Sequence, residues 1–144
     1  MTPQARAEKC AALMWAKDNA SQAIGMQVDT IAPGAATLSM PVRDDMLNGL
    51  GMCHGGMIFT LADSALAFAS NSYNVLVVAQ QVQVTYLTPA KAGETLIARA
   101  AEVARAGRSG TYDVTVTGSD GHKIALLRGL TRSVKGQHFD EDPR

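Results

Sequence analysis

The sequence predicts an α+β domain in which an antiparallel sheet packs around one long central helix. Residues Gly55–Ser72 carry apolar or small side chains on nearly every helical face, which indicates a helix buried on most sides. Apolar and polar residues alternate in several later segments, and this period of two is typical of half-buried strands. With 144 residues, 47% of them apolar, the chain is long enough for a single compact domain, 1–144, with its own core.

Turn and breaker residues divide the rest of the chain into elements. Pro33-Gly34 separates two stretches suited to strands, which predicts a hairpin, and Pro89 ends a strand of alternating character that includes Val82 and Tyr86. In chain order, the sequence predicts an amphipathic helix over Gln4–Ala20, strands over Met26–Ala32 and Ala35–Val42, a loop over Arg43–His54, the central helix, and strands ending at Pro89, over Thr111–Thr117 and over Lys123–Val134.

One internal segment and the C-terminus need separate arguments. Glu94–Ala106 is rich in alanine and would be helical by propensity. It lies between turn signals in a run of strands, however, so we interpret it as a strand. Lys135–Arg144 is polar, and we expect a frayed tail there.

Charge and cysteine content exclude several classes of protein. Thirteen Lys plus Arg balance thirteen Asp plus Glu without a basic run, which predicts no nucleic-acid partner. The sequence has neither a long apolar run nor a secretory signal, so we expect a cytoplasmic protein without a membrane partner. Cys10 and Cys53 form no CxxC pair and the three histidines are scattered. We therefore expect no zinc site, no redox chemistry and no bound cofactor.

Asp63 is out of place in an otherwise apolar region. It is the one formally charged residue between Asp45 and Lys91, and it lies in the middle of the central helix. A carboxylate removed from water without partners costs several kcal/mol of free energy and often has a raised pKa. Two interpretations stay open at this point: a carboxylate satisfied by neighbouring polar groups, and a functional acid in an active site.

The residues around the start of the helix favour a functional Asp63. The first backbone N–H groups of a helix lack partners, and no Cβ blocks the approach to Gly55 or Gly56, so this end of the helix is suited to bind an oxyanion. Asn48 offers an amide to a water or a carbonyl, although Asn followed by Gly is also a turn signal. His54 is either a catalytic or orienting imidazole or a helix cap, and Cys53 is interpreted as a small buried thiol.

The spacing of Gly55 and Asp63 has a consequence for assembly. The two residues are eight positions apart, which is about 12 Å along an α-helix. An Asp side chain does not cover that distance and also touch a group held at the Gly55 N–H, because hydrogen-bond reach is roughly 3 Å. If both residues serve one site, Asp63 comes from a second copy of the chain, across a two-fold axis that relates antiparallel helices and two equivalent sites.

Several short motifs together resemble one known family. They are Met46-Leu47-Asn48-Gly49, Cys53-His54-Gly55-Gly56, Leu61-Ala62-Asp63, Thr85-Tyr86-Leu87-Thr88-Pro89, Gly93-Glu94-Thr95-Leu96 and Gly110-Thr111-Tyr112-Asp113-Val114. The combination resembles the hotdog-fold acyl-CoA thioesterases, in particular the PaaI family of phenylacetic acid degradation, over nearly the whole chain. The resemblance implies a curved antiparallel sheet wrapped around a long central helix, dimers that pair into a homotetramer, and a strand over Glu94–Ala106.

The reaction implied by the resemblance is hydrolysis of an acyl-CoA, such as phenylacetyl-CoA or a ring-hydroxylated form of it, to a free acid and coenzyme A. The resemblance implies that Asp63 is the catalytic carboxylate. It also implies that the Gly55 backbone N–H polarises the thioester carbonyl and that the Asn48 amide places the water or the carbonyl. The sequence leaves open whether Asp63 acts as general base or as nucleophile.

Substrate binding needs cationic side chains for the phosphates of coenzyme A and an apolar cleft for the acyl group. The candidate binding residues are Gly56 beside the carbonyl, Lys91, Arg108 and Ser109 for coenzyme A, and Phe59, Leu66 and Leu50 for the acyl group.

Two other functions stay open. One is a hotdog acyl-CoA dehydratase or hydratase that uses a helix carboxylate and a histidine as an acid and base pair. The other is a non-catalytic acyl-CoA-binding module, because a fold alone does not establish catalysis.

Overall fold

The computed structural model describes residues 1–142 and contains three α-helices and six strands in that range. The helices are α1 (Pro3–Trp15), α2 (Asn19–Ala23) and α3 (Gly55–Ser70), with a short 3₁₀ helix at Asp44–Met46. The strands are β1 (Gln27–Ala32), β2 (Ala35–Pro41), β3 (Val77–Tyr86), β4 (Thr95–Ala106), β5 (Ser109–Thr117) and β6 (Lys123–Ser133).

The six strands form one antiparallel sheet in the order β1-β2-β4-β5-β6-β3. Helix α3 packs against every strand of this sheet, because its apolar side chains have no other surface large enough to cover them. The predicted α+β class and the hotdog arrangement, a curved sheet around one long helix, are therefore confirmed. Strands β1 and β3 form the two edges of the sheet.

The ambiguous alanine-rich segment is a strand, as predicted. In β4 the side chains of Leu96, Ala98 and Ala100 are buried, and the residues between them are partly or fully exposed. This alternation places the small apolar side chains of β4 beneath α3, which overrides the helical propensity of alanine. Helix packing against the sheet therefore decides the conformation of this segment.

The predicted N-terminal helix over Gln4–Ala20 is two helices. Helix α1 ends at Trp15, and Asp18 begins α2 by accepting a hydrogen bond from the Ser21 N–H at 2.9 Å. A short acidic side chain at this position satisfies one of the unpaired N–H groups of a new helix, so the chain stops and starts again here. Ser21 Oγ lies 3.2 Å from Ser64 Oγ, which connects α2 to α3.

The expected frayed tail is wrong for the described part of the C-terminus. Asn74, which is 1% exposed, accepts hydrogen bonds from the backbone N–H groups of His138 and Phe139 and donates one to the Phe139 carbonyl. The guanidinium of buried Arg6 lies 2.6 Å from the carboxylate of Glu141. These polar contacts fix the tail against α1 and the end of α3, while residues 143–144 lie outside the described range.

The core lies between α3 and the sheet. Leu66 of α3 is 1% exposed and packs against Gly129 of β6, where a Cβ atom would lie 2.7 Å from Leu66 Cδ2. Glycine therefore lets the helix approach the sheet closely. Leu66, one of the candidates for the acyl cleft, is therefore a core residue, because its side chain is enclosed between the helix and the sheet. Within residues 1–142, no helix is both long and apolar enough to cross a membrane.

We predict that Leu66→Ala lowers the free energy of unfolding by about 2 to 5 kcal/mol, because it leaves a cavity in the core. Leu50→Ala is the matched control: Leu50 is 81% exposed, and we expect a change within about 0.5 kcal/mol. Urea denaturation followed by circular dichroism measures both. Equal effects of the two substitutions would contradict this assignment of the core.

Candidate functional site

A cleft of about 360 Å³ opens at the N-terminus of α3. Its walls come from three parts of the chain: the loop before α3, the first turn of α3, and the segment that follows β3. The lining is mostly apolar and includes Met52, Ile58 and Leu87. Asn48, Gly55, Tyr86 and Thr88 bring polar groups to it. Two of the residues predicted for a catalytic site therefore border the same cleft.

The first turn of α3 uses three of its four N–H groups within the chain. His54 Nδ1 accepts a hydrogen bond from the Gly56 N–H at 2.8 Å, and the His54 carbonyl accepts from Met57 at 2.9 Å and from Ile58 at 3.3 Å. Among the described residues, the Gly55 N–H has no acceptor. At the positive end of the helix dipole, the first turn therefore leaves one N–H donor available, that of Gly55, which lines the cleft.

This arrangement gives His54 the cap role that the sequence left open. Because Nδ1 accepts a hydrogen bond, the proton of the neutral imidazole is on Nε2. The cap also engages the Gly56 N–H, so Gly56 does not offer its amide to a ligand in this structure. Of the two glycines, Gly55 is the one that presents a donor.

Asn48 has a loop-forming end and a free end. Its Oδ1 accepts hydrogen bonds from the backbone N–H groups of Leu50 at 2.9 Å and Met52 at 3.2 Å. These two bonds hold the turn together and fix the orientation of the amide. Its Nδ2 has no partner among residues 1–142, and the residue lines the cleft, so a second N–H donor is available beside that of Gly55.

Asp63 lies two turns farther along α3 and does not border the cleft. Its side chain is half-buried, and within the described residues no hydrogen bond or ion pair compensates its charge. Burial raises the pKa of this carboxyl. Within one chain the structure does not bring Asp63 to Gly55, in keeping with the separation of about 12 Å expected along the helix.

Two of the predicted coenzyme A residues, Arg108 and Ser109, are far from the cleft of their own chain, whereas Lys91 directly follows Ala90, which lines it. Arg108 and Ser109 lie at the turn between β4 and β5, whereas the cleft is near the beginning of β4. A strand of twelve residues spans roughly 35 Å. Lys91 lies in the loop before β4 with an exposed side chain, and its backbone N–H donates to Glu94 at 2.7 Å.

The cations near the β4–β5 turn differ in their partners. Arg105 pairs with Glu102 at 3.0 Å and stacks over the ring of Tyr73, so its charge is already engaged. Arg108 lines a second cleft together with Arg132 and Lys135, and in the described part of the chain none of these three side chains forms an ion pair. Arg108 is therefore the better phosphate candidate of this turn.

The predicted acyl-binding side chains are not the ones that line the cleft. Phe59 is half-buried against the core, and Leu50 projects from the loop. The cleft is lined instead by Tyr86 and Leu87, which follow from the end of β3, and by Ile58 of α3. The sequence signal for these residues is the pair Tyr86-Leu87, an aromatic and an apolar residue shortly before Pro89. Only the fold shows that this segment lies next to the helix.

Comparison with known proteins gives consistent results. The family described as "Thioesterase superfamily" matches residues 50–125. The acyl-coenzyme A thioesterase PaaI of Escherichia coli is 35% identical over 123 residues, which cover 85% of this chain and 88% of that protein. The solved structure of the E. coli PaaI protein superposes with a TM-score of 0.93 at 33% identity, covering 94% of this chain and 99% of that one.

A more distant structure contains a ligand. The smu.793 protein of Streptococcus mutans, solved bound to acetyl CoA, is 27% identical with a TM-score of 0.75, covering 78% of this chain and 91% of that chain. Within residues 1–142, no cluster of three or more His, Cys, Asp or Glu side chains is arranged to hold a metal ion.

We predict that Asp63→Asn makes the protein more stable at pH 7. The raised pKa means that the ionised carboxylate opposes folding above the pKa of the unfolded chain. The gain is therefore largest at neutral pH and disappears as the pH falls and Asp63 becomes protonated in both states. Denaturant titrations of both proteins between pH 4 and pH 7 measure the difference. Lower stability of the Asn variant at pH 7 would show a compensated charge at position 63.

Proposed function

This chain belongs to the thioesterase superfamily and is a thioester hydrolase, and we propose that its substrate is an aromatic acyl-CoA, such as phenylacetyl-CoA or a ring-hydroxylated phenylacetyl-CoA. The products are the free acid and coenzyme A. The observation that carries the proposal is the pair of N–H donors at one cleft, from Gly55 and Asn48, that have no acceptor among residues 1–142. They supply the polar groups that a thioester carbonyl needs at the positive end of a helix.

In the proposed reaction Gly55 stabilises the developing oxyanion. Attack on a thioester carbonyl moves negative charge onto its oxygen, and a fixed backbone N–H beside that oxygen strengthens its interaction as the charge grows. One well-placed donor of this kind is worth roughly 3 kcal/mol of barrier. The cleft beside Gly55 allows the carbonyl to approach.

Asn48 is proposed to hold the attacking water or the carbonyl through Nδ2. Its Oδ1 is already engaged by two backbone N–H groups, so the amide has one orientation and presents only its donor side. An amide fixed in this way costs little reorganisation when substrate binds. The loop conformation and the catalytic role therefore depend on the same side chain.

Asp63 of a second copy is proposed to complete the site. As general base, its carboxylate takes a proton from water while the water oxygen attacks the carbonyl and coenzyme A leaves as a thiolate that is then protonated. As nucleophile, the carboxylate attacks directly, coenzyme A leaves, and water hydrolyses the mixed anhydride. Burial supports either role, because a carboxylate with a raised pKa is a stronger base.

A homodimer that pairs into a homotetramer belongs to this proposal. Strand β3 is an edge strand of ten residues with most of its side chains exposed, including Val78 at 52%. An open edge of this length leaves a row of backbone groups available to another chain. On α3, Asp63 and Phe59 one turn away are both only partly buried within a single chain.

Substrate binding follows from the same assembly. Arg108, Ser109 and Lys91 are proposed to bind the phosphates of coenzyme A. Arg132 and Lys135, which form no ion pair with the described residues, add positive charge beside Arg108. Because Arg108 and Ser109 are remote from the cleft of their own chain, the proposal places them near the cleft of another copy, whereas Lys91 follows Ala90 at the cleft of its own chain. The apolar lining and size of the cleft suit a single aromatic ring.

The hydratase alternative finds less support in the geometry. It requires His54 as an acid or base, and its Nδ1 is engaged in capping α3. The cytoplasmic location expected from the sequence stays a prediction.

We predict that the protein releases coenzyme A thiol from phenylacetyl-CoA and that Asp63→Asn and Asp63→Ala each reduce kcat by at least about 100-fold. Asn48→Asp keeps the loop-forming oxygen but exchanges the free N–H donor for an acceptor, and we expect a similar loss. A thiol reagent measures the rate, and size-exclusion chromatography with light scattering checks that the oligomer is unchanged.

Asp29→Asn is the control for this series, because Asp29 is an exposed residue of β1 without an ion pair among the described residues. Its activity is expected to equal that of the wild type. Full activity of both Asp63 variants would reject the proposed carboxylate. Preference for aliphatic over aromatic esters in a panel of acyl-CoA substrates would reject the aromatic acyl group, and consumption of an enoyl-CoA without thiol release would favour the hydratase.

A further inference from the structure

We propose that Tyr86 is a positioning residue that holds Gly55, the first residue of α3, and with it the Gly55 N–H, at the cleft. The inference rests on the proposed function, because it concerns the donor that binds the thioester carbonyl. It adds a residue from the sheet to a site otherwise built from α3 and the loop before it.

Two contacts join Tyr86 to Gly55. The phenolic hydroxyl donates a hydrogen bond of 2.8 Å to the Gly55 carbonyl. The ring lies against the Gly55 Cα, where an added Cβ would be 3.0 Å from Cζ and 3.1 Å from Oη of the tyrosine. The residue that carries the available N–H donor is therefore held by a hydrogen bond at its carbonyl and by ring contact at its Cα.

The start of α3 needs such a restraint. Gly55 and Gly56 have the widest backbone freedom of any residue type, and the first turn of a helix frays readily. The His54 cap fixes the Gly56 N–H, whereas the Gly55 N–H makes no bond to the described residues. A donor that stays free for substrate cannot use its own hydrogen bond to hold its position, so the restraint has to act on the neighbouring atoms of the residue.

Tyr86 is itself fixed by the sheet. It is the last residue of β3 and pairs with Ala125 of β6, and the next residue, Leu87, donates its backbone N–H to the Ile124 carbonyl at 2.8 Å. The ring is half exposed and lines the cleft. The rigid edge of the sheet therefore sets the position of the helix terminus, and the same ring forms a wall next to the donor.

Tyr86→Phe tests the hydroxyl while it keeps the ring. Loss of one neutral hydrogen bond that aligns the donor predicts a fall in kcat of about fivefold. KM for phenylacetyl-CoA is expected to change by less than about twofold, because the apolar wall is retained. A purely structural role would lower stability without this split between kcat and KM.

Tyr112→Phe is the matched control. It also removes a phenolic hydrogen bond, here one of 3.1 Å to Glu102, but Tyr112 is buried and does not line the cleft. It is expected to lower the unfolding midpoint and to leave kcat within about twofold of the wild type. Comparison of the two Phe variants separates alignment of the donor from a general loss of stability.

The ring contact is tested by a double-mutant cycle. Gly55→Ala introduces a methyl group where the ring now lies, so its effect on kcat should be smaller in a Tyr86→Ala background than in the wild type. Additive effects, or an unchanged kcat in Tyr86→Phe while Asp63→Asn is inactive, would overturn the inference and leave the proposed function standing. Absence of thiol release by the wild type from every acyl-CoA tested would overturn both.

Discussion

The site depends on how the N–H groups at the start of α3 are shared out. A helix begins with four backbone donors that its own carbonyls do not reach. Here the Met46 carbonyl takes the N–H of His54, the His54 side chain takes that of Gly56 and the His54 carbonyl takes that of Met57. The remaining N–H, that of Gly55, has no acceptor among the described residues and belongs to a residue that lines the cleft. Had Gly56 remained free as well, the first turn would be less well anchored. Had Gly55 also been capped, no backbone donor would be left for a carbonyl.

The fixed rise per residue along the α-helix is the second constraint on the site. The carboxylate and the backbone donor lie on the same rigid helix, about 12 Å apart, so no side-chain rotation brings them together. In the proposed reaction the site is therefore shared between two copies of the chain, and the exposed edge strand β3 and the partly exposed face of α3 are the surfaces proposed for that assembly. The burial that raises the pKa of Asp63 within one chain increases further if a partner covers that face.

Much of the fold was predictable because its determinants are local. The breaker Pro33-Gly34, the alternation before Pro89 and the apolar faces of Gly55–Ser72 each specify an element from neighbouring residues alone, and all three elements are present. The break between α1 and α2 was missed, since alanine-rich sequence continues through it and only the Asp18 cap marks it. The docked tail was missed because its partners, Arg6 and Asn74, are remote in sequence.

The polar residues of the candidate site were predictable from the sequence, whereas the apolar residues that line the cleft were less so. The Gly-Gly helix start and the isolated Asp63 are visible as patterns, and the Asn48 turn is typical of its dipeptide. Which of Gly55 and Gly56 keeps a free N–H depends on the acceptor that His54 offers, and this is visible only in the structure. The position of Tyr86 beside the helix depends on the pairing of β3 with β6. Contacts between elements that are distant in sequence therefore decide the details that local patterns leave open.

Subunit complementation tests the shared site most directly. Asp63→Asn chains and Asn48→Asp chains, each inactive alone, are co-expressed with different tags, and the mixed oligomers are assayed for thiol release. If Asp63 of one chain serves the Asn48 and Gly55 of another, each heterodimer has one doubly altered site and one intact site. Random pairing then restores about a quarter of the wild-type activity. Activity no higher than that of the two parent variants would show that each site lies within a single chain and would contradict this account.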